Sequence, residues 1–322
     1  MSAKRFGIVS KITSSTFPGT GGDVPLRGRY KPPFVPLRQP HKIYGRRGEL
    51  EVILARSRSE IRRAQGLRYK VFYEELSAIP DVATLMSRRD EDAYDPICDH
   101  LLVIDRNEPP KRRRPWGRKG CVVGTYRVLR QDVAERNDGF YSQGEYDVAA
   151  MLERHAGRKR FMELGRSCVL APYRNRRTLE LLWQGVWSYA REHGIDVLFG
   201  CASFEGTDPR QHAMALSFLH HNAAAPEQWR VRAHPELHVD MNMMPASQID
   251  SRAALRALPP LIKGYLRLGA FVGEGAVIDH QFGTTDVFII LPVEAIAERY
   301  FAHFGAPDEF GPRATLPGSS YN

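Results

Sequence analysis

The stretch FMELGRSCVLAPYRNRRTLELLW, residues 161–183, begins like a buried strand and ends like a helix, yet it carries charge inside the strand. Glu163 can take a proton, and Arg166 can hold an anion by charged hydrogen bonds. Side chains alternate along a regular strand, so two residues three apart face opposite sides. Gly165 lies between them, and a glycine inside a strand often marks a bulge that would turn both toward one site. Past the strand, Arg174, Arg176 and Arg177 crowd the turn APYRNRR before the helix. Backbone N–H groups at a helix start, with basic side chains beside them, form an anion site, typically for phosphate. The alternative is a basic surface turn, and its lack of glycines argues against a tightly wrapped pyrophosphate.

A second candidate group starts from Arg68. On a helical wheel Ile61, Ala64, Arg68 and Phe72 share one stripe, which places Arg68 on the core side of its helix. A guanidinium there must be paired, because an unpaired buried charge costs several kcal/mol. Asp90, Asp92 and Asp95 in RRDEDAYDPICDH stand just before a strand and could pair with it. Two readings stay open: an internal ion-pair network, or a polar pocket that recognises a charged small molecule. Asp92 or Asp95 is the expected partner. Near the C-terminus Asp279 and Asp286 interrupt apolar strands beside FGTT, where they either cap the turn or point into a pocket. The histidines lack metal-ligand spacing, and no HExxH, GxSxG or Cys–His signature occurs, so no metal and no covalent nucleophile is expected.

The elements that must position these groups alternate irregularly. LEVILA (50–55), 99–105, 121–130, 160–170 and 195–203 read as strands. Residues 57–76, 146–155, 174–193 and 208–221 read as helices, the first capped by Ser57 or Ser59 and the last opened by Asp208 and Pro209. GAVIDH and TTDVFIIL read as a hairpin, followed by a helix PVEAIAERYFAHF. This order predicts an α/β or α+β fold with a central mixed β-sheet flanked by helices.

The chain of 322 residues carries a net charge of +9, placed unevenly: residues 1–50 hold ten Lys/Arg and two acids. That tail, with KPPFVPLRQP and GTGGD, cannot bury enough surface to fold alone. It suits an anionic membrane surface or an acidic partner, or it is simply solvated. The expected organisation is a basic Pro/Gly-rich tail over 1–48, a domain over 49–306 and a C-terminal tail over 307–322. The nearly neutral body argues against a nucleic-acid enzyme. No run of about 18 apolar residues spans a membrane, and no signal peptide opens the chain. Cys98, Cys121, Cys168 and Cys201 are far apart and read as reduced core residues of a cytoplasmic protein.

Five blocks occur in order: GLRYKVFYEEL, DEDAYDPICDHLLV, GTYRVL, the 161–183 stretch, and LPPLIKGYLRLGAFVGEGAVIDHQFGTTDVFIIL. Together they resemble the hemolysin-like acyltransferases of the GNAT superfamily, most closely the ornithine N-alpha-acyltransferases of ornithine-lipid synthesis. The likeness covers about residues 50–305. A wider likeness joins the chain to acyl-homoserine-lactone synthases. Their first-helix Arg and Phe fall on Arg68 and Phe72, and their acidic triplet on Asp90, Asp92 and Asp95. Their central-strand Arg falls on Arg127, and their Glu and Arg pair on Glu163 and Arg166. The tryptophan usual after the first helix is missing here. GNAT enzymes normally wrap a pyrophosphate with a glycine-bearing loop. Here that loop is YRNRRT, ending at Thr178, with Arg177 where a glycine is usual.

The resemblance implies transfer of a long 3-hydroxyacyl group from acyl carrier protein to the alpha-amino group of L-ornithine. The product is a lyso-ornithine lipid. No cofactor is implied beyond the phosphopantetheine that the carrier brings. Glu163, or a water held by it, is the candidate base, and N–H groups near Ser167, Cys168 and Val169 would polarise the thioester carbonyl. Arg68, Arg127 or Arg166 would meet the ornithine carboxylate, and Asp92, Asp95, Asp279 or Asp286 its second ammonium. Basic residues of the 111–119 loop and the 174–177 turn would dock the acidic carrier. MNMMP (241–245) either lines the acyl slot or fills core. The alternatives are a homoserine-lactone-type synthase using S-adenosylmethionine, a coenzyme-A-dependent N-acyltransferase with another amine acceptor, and a basic peripheral membrane protein without catalysis.

Overall fold

The strands form where β-branched and aromatic residues run together, as in CVVGTYRVLR and TTDVFIILP. The computed structural model describes residues 41–76, 78–107 and 120–296. Its strands are β1 (Ile43–Arg47), β2 (Leu50–Leu54), β3 (Asp99–Asp105), β4 (Cys121–Arg130), β5 (Phe161–Val169), β6 (Val197–Glu205), β7 (Phe271–Asp279) and β8 (Thr284–Pro292). The helices are α1 (Arg58–Tyr69), α2 (Val82–Ser87), α3 (Gln131–Ala134), α4 (Val148–Arg154), α5 (Arg176–Glu192), α6 (Ala213–Asn222), α7 (Ser251–Ala257) and α8 (Pro260–Arg267). One sheet holds the strands in the order β1-β2-β3-β4-β5-β6-β8-β7. Every neighbouring pair is antiparallel except β5 and β6. A parallel pair needs a crossover, and α5 supplies it.

One face of the sheet packs Leu101, Val103, Tyr126, Val128 and Leu164 against Leu181, Leu182 and Val186 of α5 and Ile262 of α8. On the opposite face α1 sets Ala64 and Leu67 against Ile53, Leu102 and Ile104. Asn175 caps α5 by accepting from the Thr178 N–H, and Ser57 caps α1 by accepting from the Glu60 N–H. The four cysteines are free thiols. No helix among the described residues is long and apolar enough to cross a membrane.

The sheet starts earlier than the sequence reading placed it. Ile43–Arg47 falls within the stretch taken as tail, yet it pairs with β2 as an edge strand. Gly48, at φ 59°, permits the tight turn between them. The helix read over 57–76 changes character at Lys70: the α-helix gives way to a π-helical turn over Lys70–Glu75. Of the helix read after β8, only a short turn at Val293–Ala295 is described. Its remainder, residues 1–40, the basic loop at 111–119 and the 307–322 tail lie outside the described residues.

Two local features open the sheet at its centre. The parallel ladder of β5 and β6 ends after Phe161↔Val197, Met162↔Leu198 and Glu163↔Phe199. Beyond it, β6 continues along β8. Gly200 stands at the point of separation, where a Cβ would lie 2.2 Å from the Leu164 carbonyl oxygen. The second feature is a bulge in β5. Thr125 pairs with Cys168, but Arg127 pairs with Gly165, so β5 carries one residue more than β4 over this interval. Arg166 takes the left-handed backbone, φ 51°, rather than Gly165. The added residue reverses the alternation. Glu163 pairs with Leu129 and Cys168 with Thr125. Leu129 and Thr125 share parity, so both β5 residues share a face despite opposite parity.

Gly200→Ala is therefore expected to force β5 and β6 apart at a rigid backbone contact. Overpacking of this kind costs about 1–3 kcal/mol, and each kcal/mol lowers Tm by about 2–4 °C in a domain of this size. Thermal melting checks it; an unchanged Tm would show that the strands separate without this contact.

Candidate active site

Three arginines and three aspartates close into a ring of alternating charge on the face that α1 covers. Arg68 of α1 meets Asp90 at 2.7 Å, Asp90 meets Arg166 at 3.3 Å, and Arg166 meets Asp92 at 3.1 Å. Asp92 meets Arg127 at 2.6 Å, Arg127 meets Asp95 at 3.1 Å, and Asp95 returns to Arg68 at 2.7 Å. The aspartates come from the loop between α2 and β3. Asp92 folds that loop by accepting from the Tyr94 and Asp95 N–H groups. Arg68 is fully buried at 0% exposure, and Arg127, Asp90 and Asp95 are nearly so. Both readings of Arg68 can now be placed. Its partners are Asp90 and Asp95, while Asp92 serves Arg127 and Arg166. The arginines hold the Asp92 and Asp95 carboxyls below the usual carboxylate range despite burial, which acts the other way.

A cavity of about 710 Å³ lies beside the ring, where β5 and β6 part. Of the ring, only Arg127 and Arg166 reach its wall; Arg68, Asp92 and Asp95 stand behind them. Arg166 is held between the rings of Tyr141 and Phe282, at 4.8 and 4.7 Å from their centroids. The other charged side chains on the wall are all acids: Glu145, Glu163, Glu205, Asp279 and Asp286, with His212 beside them. Because the ring's three positive charges are matched by its three negative ones, the charge left facing the cavity is negative.

The acids differ in how they are held. Glu163 accepts from the Tyr141 N–H at 2.9 Å, the Ser142 N–H at 2.7 Å and the Ser142 hydroxyl at 2.5 Å. Burial raises its pKa, and these three donors oppose the rise. Asp279 caps the β7–β8 turn, accepting from the Gln281 and Phe282 N–H groups, and also lines the cavity. Both alternatives raised for it thus hold together. Asp286 is 7% exposed; among the described residues its Oδ1 has no hydrogen-bond partner within normal geometry, although the Thr284 and Ser203 hydroxyls stabilise its anion. Burial pushes its pKa up to about 6. Glu145, which no pattern in the sequence singles out, sits in the turn before α4. Burial and then Asp286 push its pKa up to about 7.

Other candidates fall away from the cavity. Ser167 lines it, but Cys168 is buried against α1, and Val169, Arg174, Arg176, Arg177 and Thr178 are outside its wall. Arg174 pairs with Glu75, and Arg176 with Glu180. Thr178 is buried at the start of α5. MNMMP does not line the cavity; Met241 packs into the core and the Ser217 hydroxyl ties down the Met243 and Met244 N–H groups. The apolar wall comes instead from Phe72, Leu76, Phe204, Leu258, Leu261 and Phe282.

A family model described as an acetyltransferase (GNAT) domain matches residues 67–184. A protein of Agrobacterium fabrum named L-ornithine N(alpha)-acyltransferase is 52% identical over 83% of this chain and 89% of its own length. One of the same name from Rhizobium meliloti is 54% identical over 82% of this chain and 87% of its own. The chain belongs to the L-ornithine N(alpha)-acyltransferase family. The match to the GNAT domain runs from α1 into α5 and so takes in the charge ring and the bulge, while β6, across which the sheet opens, lies beyond it. Among solved structures, FeeM, an N-acyl amino acid synthase from uncultured soil microbes, is similar with a TM-score of 0.43 at 11% identity, covering 76% of this chain and 91% of that one.

Two measurements follow for this family member. Arg68→Met would take from Asp90 and Asp95 one of their two arginine partners and open the ring, a loss of up to about 3–5 kcal/mol; a Tm within a degree of wild type would contradict that. The second concerns pH. Asp92 and Asp95, with depressed pKa, contribute stability that is present above about pH 4 and lost on acidification through their folded values. Glu145 and Asp286 act oppositely: their folded pKa values are raised to about 7 and about 6, so stability falls as pH rises through those values. Glu145→Gln and Asp286→Asn should therefore raise Tm at pH 8 relative to wild type, with the gain shrinking toward pH 5. A gain independent of pH would refute the raised values.

Proposed function

We propose that this protein moves a long 3-hydroxyacyl group from the thioester of acyl carrier protein to the α-amino group of L-ornithine, giving a lyso-ornithine lipid. The observation that carries the reading is the charge balance of the cavity. Its arginines are already neutralised within the ring, and the remaining wall is acidic. Such a wall favours an acceptor with an excess of positive charge, and ornithine has two ammonium groups and one carboxylate. The name shared by relatives more than half identical points to the same acceptor.

The chemistry is direct attack of the amine on the thioester. The amine must shed a proton, and a carboxylate of the wall accepts it. Past Glu163, β5 has no ladder with β6, and that edge faces the thioester carbonyl near Ser167. Arg127 and Arg166 face the acceptor's carboxylate, while Asp286, with its unpartnered oxygen, faces the side-chain ammonium. The acyl chain takes the apolar wall. Arg177 in place of a glycine, beside Arg174 and Arg176, suits a donor carrying one phosphodiester on an acidic protein. The basic first fifty residues suit the anionic inner face of the cytoplasmic membrane.

Purified protein is incubated with 3-hydroxyacyl carrier protein and a panel of amino acids. Ornithine should be acylated on its α-nitrogen, and norvaline, which lacks the side-chain ammonium, poorly. Asp286→Asn should raise the ornithine KM by about ten- to hundredfold, the worth of one charged hydrogen bond of about 1.5–3 kcal/mol. Reversing Arg176 and Arg177 to glutamate should raise the carrier KM, and salt should do the same in the wild type. Equal rates with norvaline, or full activity with acyl-coenzyme A, would overturn the acceptor or the donor respectively.

A further inference from the structure

The proton that leaves the acceptor amine needs a carboxylate that faces the cavity and has room to receive it. Glu163 faces the cavity but is already occupied. Its Oε1 and Oε2 receive three donors, two of them backbone N–H groups that cannot reverse direction. Protonating Glu163 would set a new O–H against one of these donors and leave a buried N–H or O–H without its partner. Asp286 lines the cavity but is only 7% exposed, and Asp279 is committed to its turn.

Glu145 differs in each respect. It lines the same cavity and keeps some exposure to it. Its carboxylate accepts at Oε2 from the Cys201 thiol at 3.4 Å, a weak donor. The same thiol lies 3.7 Å from the Ser142 hydroxyl that donates to Glu163, so the two glutamates stand at opposite ends of one short polar chain. We propose that Glu145 is the catalytic base that takes the proton from the attacking α-amino nitrogen, and that Glu163 is a positioning residue that fixes the Tyr141–Ser142 turn. This rests on the acyl-transfer reading above.

The charged and titratable groups around Glu145 support the assignment. Asp286 on β8 and Asp279 at the end of β7 repel its anion, Arg166 on β5 attracts it, and Cys201 on β6 donates to it. Tyr141 and Tyr146 flank it on its own turn, both held neutral by burial. The outcome is a carboxyl near pH 7, where a base is most effective. The acceptor enters as an ammonium ion. Glu145 takes one proton and releases it to water at the cavity mouth, which frees the nitrogen lone pair. The C–N bond forms at the thioester carbonyl carbon. Glu145 then takes a second proton from that nitrogen as the C–S bond breaks, and the departing phosphopantetheine thiolate receives it. Amide, free thiol and one released proton balance the step.

The experiment is the pH profile of kcat, from pH 5.5 to 9, for wild type, Glu145→Gln, Glu145→Asp and Glu163→Gln. L-ornithine and hydroxylamine serve as parallel acceptors. Glutamate-labelled protein reports each carboxyl by ¹³C NMR. In the wild type kcat should rise with pH through an acid limb near 7, matching a carboxyl resonance that is absent from Glu145→Gln. That variant should lose a hundredfold or more in kcat, within the range for a general base, together with the limb, while the ornithine KM moves little. Glu145→Asp should recover part of the rate. Glu163→Gln should lower the rate yet keep the limb. If Glu145→Gln retains kcat within threefold or keeps the limb, or if Glu163→Gln alone abolishes it, the assignment to Glu145 is wrong while acyl transfer stands. If wild type acylates neither acceptor, the acyl-transfer reading falls and Glu145's role with it.

Discussion

The closed ring Arg68–Asp90–Arg166–Asp92–Arg127–Asp95 is the constraint on which the rest of the site depends. Desolvating one charge costs several kcal/mol, and a single buried pair barely recovers it. In the ring every charge has two opposite neighbours, drawn from α1, the loop before β3, and strands β4 and β5. Closing it requires all four segments in register. It also requires Arg166 to turn back toward Asp90 and Asp92, which an alternating strand would not allow. The left-handed backbone at Arg166 is costly for a residue with a side chain. Two ion pairs and two aromatic faces hold it there.

A neutral ring stiffens the wall without lending it charge. The guanidinium groups of Arg127 and Arg166 remain visible from the cavity, but their field is largely cancelled from behind. The electrostatic character of the cavity is therefore set mainly by Glu145, Glu163, Glu205, Asp279 and Asp286, and among the described residues the nearby Arg166 is shared with the ring. Glu163 is steadied by backbone donors. Burial, the largest cause, raises the pKa of Glu145 to about 7 and of Asp286 to about 6, and side-chain donors, Cys201 for the first and Thr284 and Ser203 for the second, oppose the rise. Burial thus favours the protonated form of both carboxyls.

The opening of the sheet gives this charged pocket its apolar counterpart. Where the β5–β6 ladder stops, Leu164 and Phe204 are left to line a gap instead of a continuous core. Leu258 and Leu261, set by the proline-bounded step between α7 and α8, close it from one side. Phe72 and Phe282 meet edge-on at 5.5 Å and border both halves, since Phe282 also carries Arg166 on its face. The cavity thus combines charged side chains with an apolar wall.

The sequence by itself determined most of the sheet and the need of Arg68 for acidic partners. Runs such as DHLLVID and CVVGTYRVLR suit buried strands, and an arginine on the apolar stripe of α1 demanded acids, which RRDEDAYDPICDH could supply. It also placed Glu163 and Arg166 at one strand and raised the bulge that could join them. Tertiary structure decided what local pattern does not encode. Alternation gives no sign that the hinge is Arg166 and not Gly165, because the backbone there is fixed by the ring's distant charges. Edge strand β1 escaped notice because its five residues gain their partners only when β2 is in place. The division of Arg68's partners could not be read from spacing, since three aspartates within six residues are equivalent until a loop folds. Glu145 lies in a polar turn like any surface glutamate. Only the approach of Cys201, Asp279 and Asp286, from strands more than fifty residues away along the chain, buries it and changes its chemistry.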